Sequence, residues 1–514
     1  MSTFITFIVY LAGMLLLGIV GYRLTSNLSD YFLGGRTLSP GVAALSAGAS
    51  DMSGWLLLGL PGAIYISGLG EAWLAIGLSI GAYLNWQFVA KRLRTYTEVS
   101  NNSITIPDFF ENRFKDHSHI LRFVSALVIL FFFTIYTASG MTAGAKLFSS
   151  SFDLTYTQGL WIGAIVIIAY TFLGGFLAVS WTDFIQGILM FAALIILPIV
   201  AISKLGGWQE TLNTVGNLSS QMGTNHLEMV SGVAVIGVIS SLAWGLGYFG
   251  QPHILVRFMG LRSHKDVPKA RFIGISWMVI GLFGAIFAGL AGFAYIASLD
   301  ASVLAEENIK LVSALENGTA IDFSLLDDEE SIFILLSQFL THPIVAGILL
   351  AAILSAIMST IDSQLLVSSS ALAEDFYKGI FRKNASDKEL VTVARLSIIV
   401  IAIIAIIIAS DPSSSVLNLV SYAWAGFGAA FGPIILLSLF WKQVTAPGAM
   451  AGMIAGAVMV VIWANLSGGL FDLYEIVPGF LLNTLLTIGI SLFTKTNPEM
   501  EKEFEEAREM AKNG

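Results

Sequence analysis

Asp51 is the only charged residue between Arg36 and Glu71, and it sits in the run Ser46-Ala-Gly-Ala-Ser-Asp-Met-Ser-Gly54. Serines compete with a helix for its backbone hydrogen bonds, so this small-residue run predicts an interruption. An unwound helix frees carbonyl oxygens. Carbonyls, hydroxyls and a carboxylate together are hard oxygen donors, the set that alkali and alkaline-earth cations take. The plainer alternative is a buried Asp that only caps a half-helix. A second polar cluster, Ala356-Ile-Met-Ser359-Thr360-Ile-Asp362-Ser363, sets Ala356, Ser359, Thr360 and Ser363 on one helix face and supplies another acid. Its alternative is hydroxyls that merely bond the carbonyl one turn back.

The third cluster is Trp244-Gly-Leu-Gly-Tyr248-Phe-Gly-Gln-Pro252, with two aromatics one turn apart, three glycines and a proline. Aromatics at that spacing are more often packing than ligand contacts, but the glycines and proline predict a second broken helix. Asp183 follows Ser180-Trp-Thr and precedes Gln186, and reads either as a helix N-cap or as a further buried acid.

The elements that hold these clusters must cross a membrane. Of 514 residues only 12% are charged, against about 25% in soluble domains, while 56% are hydrophobic and the mean hydropathy is +0.79. Crossing a hydrocarbon core of about 30 Å takes roughly 20 apolar residues. Thirteen segments qualify, near 4–22, 41–65, 71–90, 120–147, 157–178, 183–203, 229–255, 272–298, 343–372, 391–410, 415–440, 447–466 and 473–494. The first reads as a retained helix, because no Lys or Arg precedes it, no small-residue cleavage site follows, and Arg23 closes it. Lys and Arg favour cytoplasmic loops. With the N-terminus outside, the C-terminus cytoplasmic and thirteen crossings, 23 of the 26 basic residues fall inside, leaving Lys146, Lys204 and Lys310 outside. The formal net charge of −9 is concentrated in the external loop 299–342, with nine acids and one lysine.

A charge within the bilayer costs at least about 2.5–3.5 kcal/mol on insertion scales, so each buried acid needs a partner or a task. Broken helices at corresponding positions of two halves point to a secondary-transporter site. The breaks in segments two and seven lie five helices apart, which suits two inverted repeats, 41–203 and 229–440. Residues 1–40 then form a first helix with a cytoplasmic loop, 441–494 two further helices, and 495–514 a charged tail that reads as a solvated helix. No arginine is expected mid-membrane, which suits a small zwitterion better than a dianion.

Other chemistries are missing. There is no P-loop run, no H-E-x-x-H pair and no cysteine, so no ATP-driven pump of that type, no thiol nucleophile and no Cys-ligated metal is expected. Gly245-Leu-Gly247-Tyr-Phe-Gly250 matches G-x-G-x-x-G literally but lies inside a membrane segment, away from the strand–helix context that binding a dinucleotide needs. An enzyme, a nucleotide or nucleic-acid binder and a channel are all disfavoured. Gly77/Gly81 and Gly448/Gly452/Gly456 read as close helix contacts.

From about residue 4 to 494 the chain resembles the solute:sodium symporter family, most closely its bacterial proline-carrying branch. The stretches Gly48-Ala-Ser-Asp-Met-Ser-Gly-Trp55, Gly174-Gly-Phe-Leu-Ala-Val-Ser-Trp-Thr-Asp183 and Gly245-Leu-Gly-Tyr-Phe-Gly-Gln-Pro-His253 carry the likeness. So do Arg257-Phe-Met, Met358-Ser-Thr-Ile-Asp-Ser-Gln-Leu-Leu366 and Ser421-Tyr-Ala-Trp-Ala-Gly-Phe-Gly428. The resemblance implies an all-α integral membrane protein with a LeuT-like five-plus-five inverted-repeat core. It implies Na+ as coupling ion, no cofactor, and L-proline as the solute; a betaine-like osmolyte, pantothenate or a sugar is the alternative. By the same likeness, sodium would be held by carbonyls of Ala49, Met52 and Ala356 and hydroxyls of Ser359 and Thr360, with Asp51 nearby. Proline would touch Ser53, Gly54, Tyr136, Trp244, Tyr248 and Pro252. Many relatives carry a small residue where this chain has Asp362, so Asp183, Asp362 and Ser363 are the candidates for a second cation or a shared proton. Oligomeric state is left open.

Overall fold

The computed structural model describes residues 2–24, 28–152, 154–173, 175–230, 234–296, 298, 326 and 328–512. The greater part of the acidic loop expected at 299–342, Lys310 included, lies outside the described residues. Among the described residues helices are the only extended regular structure, joined by turns and irregular segments, with one isolated bridge, Leu38 to Leu261. Nine helical stretches among them are long and apolar enough to cross a membrane, and three shorter apolar helices accompany them. Helices and expected spans do not correspond one to one, because parts of the second and third expected segments run together in Trp55–Val99.

Both expected breaks are present. Helix α1 is Ser2–Leu24, and α2 is Pro40–Asp51, started by Pro40 and by the Ser39 hydroxyl, which accepts from Val42 N–H at 3.5 Å. α2 ends where Met52 turns to φ −79°, ψ 69°. The chain re-enters a helix through a wide turn at Trp55–Gly59, and α3, Leu60–Ser67, has Pro61 in its first turn. In the seventh segment α4, Val235–Ala243, tightens into a 3-10 turn over Trp244–Gly250. Gln251 is extended, as the residue before a proline prefers, and Pro252 opens α5, Pro252–Gly260.

These breaks are held among long helices: α6 (Ile120–Phe152), α7 (Phe176–Lys204), α8 (Val267–Ile296), α9 (Pro343–Ser370) and α10 (Val416–Phe440). α7 packs on α2, α8 and α9, and α10 packs on the 3-10 turn and on α6. Glycines set the closest approaches. A Cβ at Gly81 would lie 2.2 Å from the Gly245 carbonyl, and one at Gly247 would lie 1.9 Å from Trp424 Nε1. The glycines of the literal G-x-G-x-x-G run therefore make room for helices, as transmembrane packing requires.

Three expectations need correction. The span expected at 183–203 begins at Phe176, because the chain breaks at the extended Gly175. Asp183 therefore lies inside α7 and does not cap it. Arg257, expected in a loop, is fully buried in α5, since the broken segment carries the chain further through the helical body than its apolar run suggests. The charged tail forms α11, Pro498–Lys512, and one face is docked: Met500, Phe504 and Ala507 are buried, with Phe504 6.2 Å edge-on to Tyr96.

Overpacking a tight contact typically costs about 1–3 kcal/mol. Gly247→Ala is therefore expected to lower the apparent melting temperature in detergent by several degrees, whereas an unchanged melting curve would show that Trp424 can move aside.

Candidate functional site

The two broken segments meet at Asp51. Burial of its carboxylate is nearly complete, and Oδ2 accepts the Tyr248 hydroxyl from the 3-10 turn of the seventh segment. Among the described residues none donates to Oδ1, and the carboxylate borders a cavity of about 20 Å3 with Met52, Trp86, Tyr248 and Met278. That volume suits a single water-sized occupant. The main-chain carbonyl of Asp51 accepts from Trp55 Nε1–H at 3.1 Å and from the Tyr136 hydroxyl at 3.4 Å. The break thus exposes both a carboxylate and a carbonyl, and side chains of three elements converge on them.

Two residues earlier, the Ala49 carbonyl accepts the Ser359 hydroxyl at 2.8 Å and the Thr360 hydroxyl at 3.4 Å. Ser359 also donates to the Ala356 carbonyl at 3.2 Å. Ala49, Ala356, Ser359 and Thr360, four of the expected sodium ligands, thus stand together between α2 and α9. A hydroxyl that donates to a carbonyl can turn its lone pairs to a cation instead, so this group fits a small hard ion. Met52, the fifth, lies at the break itself, and its N–H donates to the Gly48 carbonyl at 2.8 Å.

The expected solute residues divide into two groups. Tyr136 and Tyr248 reach Asp51, and Ser53 accepts from the Trp55 backbone N–H at 3.4 Å. Pro252 is buried at the start of α5, and Gly54 faces α6, where a Cβ would lie 2.8 Å from the Ala143 methyl. Trp244 belongs to an aromatic group that the sequence reading did not single out. Trp424 stacks on it with centroids 6.3 Å apart and donates its indole N–H to the Trp244 carbonyl at 2.8 Å. Trp55 and Tyr474 flank it at 6.4 and 5.4 Å. Trp424 lies within Ser421–Gly428, a stretch that carried the family likeness, but a tryptophan in an apolar helix gives no signal of its own. Asn85 was also missed; its amide donates to the Tyr248 carbonyl at 2.9 Å.

Asp183, Asp362 and Ser363 meet a cation that the chain itself supplies. Arg257 Nη2 lies 3.2 Å from Asp183 Oδ2 and 2.6 Å from the Ser363 hydroxyl, and Nε donates to Ser46 at 3.1 Å. Ser46 in turn donates to Asp183 Oδ2 at 2.7 Å, and Ser363 to Asp362 Oδ1 at 3.4 Å. Among the described residues no group of three His, Cys, Asp or Glu side chains could hold a metal ion.

Trp244 also lines a cavity of about 450 Å3 that carries the acids Glu71, Asp472 and Glu475.

Known proteins share this architecture. The structure of a sodium-coupled sialic acid symporter, bound to substrate in an outward-open state, superposes with a TM-score of 0.76 at 21% identity, covering 97% of this chain and 99% of that one. A nucleobase-cation-symport-1 family transporter in a closed conformation gives 0.56 at 13% identity, over 94% and 99%. The fold is thus the LeuT-like one. In sequence, the high-affinity proline transporter PutP of Bacillus subtilis is 53% identical over 483 residues, 94% of this chain and 96% of its own. The sodium/proline symporter of Salmonella typhimurium is 50% identical over 504 residues, 98% and 95%. The profile of the sodium:solute symporter family matches residues 31–456, and the chain belongs to that family.

Proposed function

We propose that this chain is a sodium-coupled secondary transporter that imports L-proline by alternating-access symport, with Na+ as the coupling ion and no cofactor. The observation that carries the reading is the junction at Asp51, where a group of cation-type oxygens on one broken helix adjoins an aromatic pocket on the other. The two relatives named for proline, each at least 50% identical over more than nine-tenths of the chain, favour this solute over an osmolyte, pantothenate or a sugar.

In this reading Ala49, Met52, Ala356, Ser359 and Thr360 hold sodium and fix the unwound backbone. Asp51 then presents one oxygen to Tyr248. Ser53, Gly54, Tyr136, Trp244, Tyr248 and Pro252 receive proline, whose carboxylate suits free amides at a broken helix end and whose ring suits aromatic faces. The buried Arg257 does not argue for a dianionic solute, because Asp183 already neutralises it. Asp183, Asp362 and Ser363 form a second ion or proton group whose cation position the guanidinium fills in this arrangement; a second cation takes it only when Arg257 moves away.

We further propose an N-terminus outside and a C-terminus in the cytoplasm of a bacterial plasma membrane, on the partition of 22 basic residues to one side once the buried Arg257 is set apart. The two inverted repeats are 41–203 and 229–440, flanked by 1–40, 441–494 and the tail 495–514.

Asp51→Asn should raise the sodium concentration for half-maximal uptake roughly tenfold or more, the worth of one charged hydrogen bond, and Thr360→Ala should act in the same direction. Uptake by Asp51→Asn with normal sodium dependence would end this assignment. Trp244→Ala should instead raise the KM for proline by about tenfold or more, as loss of a buried aromatic anchor does, at saturating sodium. Asp362→Asn should alter the sodium or pH dependence of uptake in sodium-jump assays; unchanged coupling would remove Asp362 from the ion group. Counterflow of labelled proline in liposomes, with and without sodium, tests the function itself, and sodium-independent or absent counterflow would refute it.

A further inference from the structure

Tyr474 lies beyond the stretch 41–440 that carries both helix breaks, yet it reaches into the aromatic group around Trp244. Its ring stacks on the Trp244 indole with centroids 5.4 Å apart and planes 25° from parallel. Its hydroxyl donates to the Ser421 carbonyl at 2.7 Å. Ser421 is on α10 one turn before Trp424, the residue whose indole N–H holds the Trp244 carbonyl. The Tyr474 backbone N–H donates to the Ser240 hydroxyl at 3.0 Å, and Ser240 is on α4 one turn before Trp244. Trp463 fixes the segment from a third side, its indole N–H donating to the Leu473 carbonyl at 2.8 Å.

One residue is thus tied to both elements that hold the Trp244 indole. Trp244 is a large ring with two side-chain torsions, in a 3-10 turn whose hydrogen-bond geometry is weaker than that of an α-helix. Trp424 fixes its backbone but only partly its ring. A parallel aromatic neighbour on a segment anchored elsewhere removes the remaining freedom. Both rings also form part of the wall of the 450 Å3 cavity, with Ser240, Asn418, Trp463 and the three acids. Tyr474 is itself only 7% exposed, so it packs as part of that wall.

Resting on the reading of Trp244 as a solute contact, we infer that Tyr474 is a positioning residue of the solute site, which sets the Trp244 indole in its binding orientation through the ring stack. The helices after residue 440 then take part in solute binding. The ring is the active part and the Ser421 hydrogen bond only an anchor, which separates the conservative variant from the truncating ones.

The test uses the full chain in liposomes, with the KM and maximal rate of sodium-driven proline uptake and the melting temperature measured for the natural protein, Tyr474→Phe, Tyr474→Leu and Tyr474→Ala. An aromatic stack is worth about 0.5–1.5 kcal/mol beyond its buried area, so Leu and Ala should raise the proline KM about three- to tenfold at saturating sodium, with the sodium half-saturation nearly unchanged. Tyr474→Phe should restore the natural KM. If Ala does not fold, Leu, which keeps the bulk without the stack, decides the matter. A KM unchanged in Leu and Ala while the melting temperature falls would reduce Tyr474 to loop packing and overturn the inference, as would a Phe variant as impaired as Leu. Absence of sodium-dependent proline uptake by the natural protein would overturn the functional reading and this inference with it, a result distinguishable from the others.

Discussion

The hydrogen bond from Tyr248 to Asp51 is the contact on which the rest of the arrangement depends. An uncompensated carboxylate inside a bundle of apolar helices is costly, and here one oxygen has a phenolic partner while the other borders a one-water cavity. The bond joins two places where the helices are interrupted, and interruption is what makes them movable. A continuous helix satisfies its own backbone; a broken one at membrane depth depends on its surroundings. Trp55, Tyr136 and Asn85 supply those surroundings by donating to the carbonyls of Asp51 and Tyr248. Anything that repositions the α2 break, such as the proposed ion between α2 and α9, therefore moves the acceptor of the hydrogen bond from Tyr248, a residue of the proposed solute side. This is a physical route for reciprocal coupling, in which each ligand raises the affinity for the other by the same factor.

A second buried electrostatic group complements the first. Arg257, Asp183, Ser46 and Ser363 draw α5, α7, α2 and α9 together. Removing one partner of such a pair strands a charge and is far worse than replacing both. The segment bearing Asp51 and the segment bearing Pro252 are therefore linked by Ser46 and Arg257 as well as at the junction, so motion of one broken segment is felt by the other through two contacts of different chemistry.

Much of this was legible in the sequence, for identifiable reasons. Serine and glycine around Asp51 and glycine with proline around Pro252 announce broken helices because they act on the backbone locally. The shared face of Ala356, Ser359 and Thr360 follows from helical spacing alone. The start of the helix bearing Asp183 was misplaced, which left its N-cap reading open beside the buried-acid one, because the break at Gly175 interrupts a continuous apolar run, where hydropathy sees no boundary. Arg257 was assigned to a loop because a 3-10 turn and a fresh helix extend the seventh segment past its apolar run. Trp424 and Tyr474 were silent, since an aromatic among apolar residues looks the same whether it packs or supports a site. The docked face of the tail was readable in principle: Met500, Phe504 and Ala507 recur at helical spacing in an otherwise charged run.

The central claim is that the bond between Asp51 and Tyr248 transmits ion binding to the solute pocket. The direct measurement is equilibrium proline binding to purified natural protein and to Tyr248→Phe, each titrated without sodium and at saturating sodium. The account predicts that the factor by which sodium raises proline affinity falls towards one in Tyr248→Phe, while affinity without sodium changes much less. An unchanged sodium factor in Tyr248→Phe would contradict it.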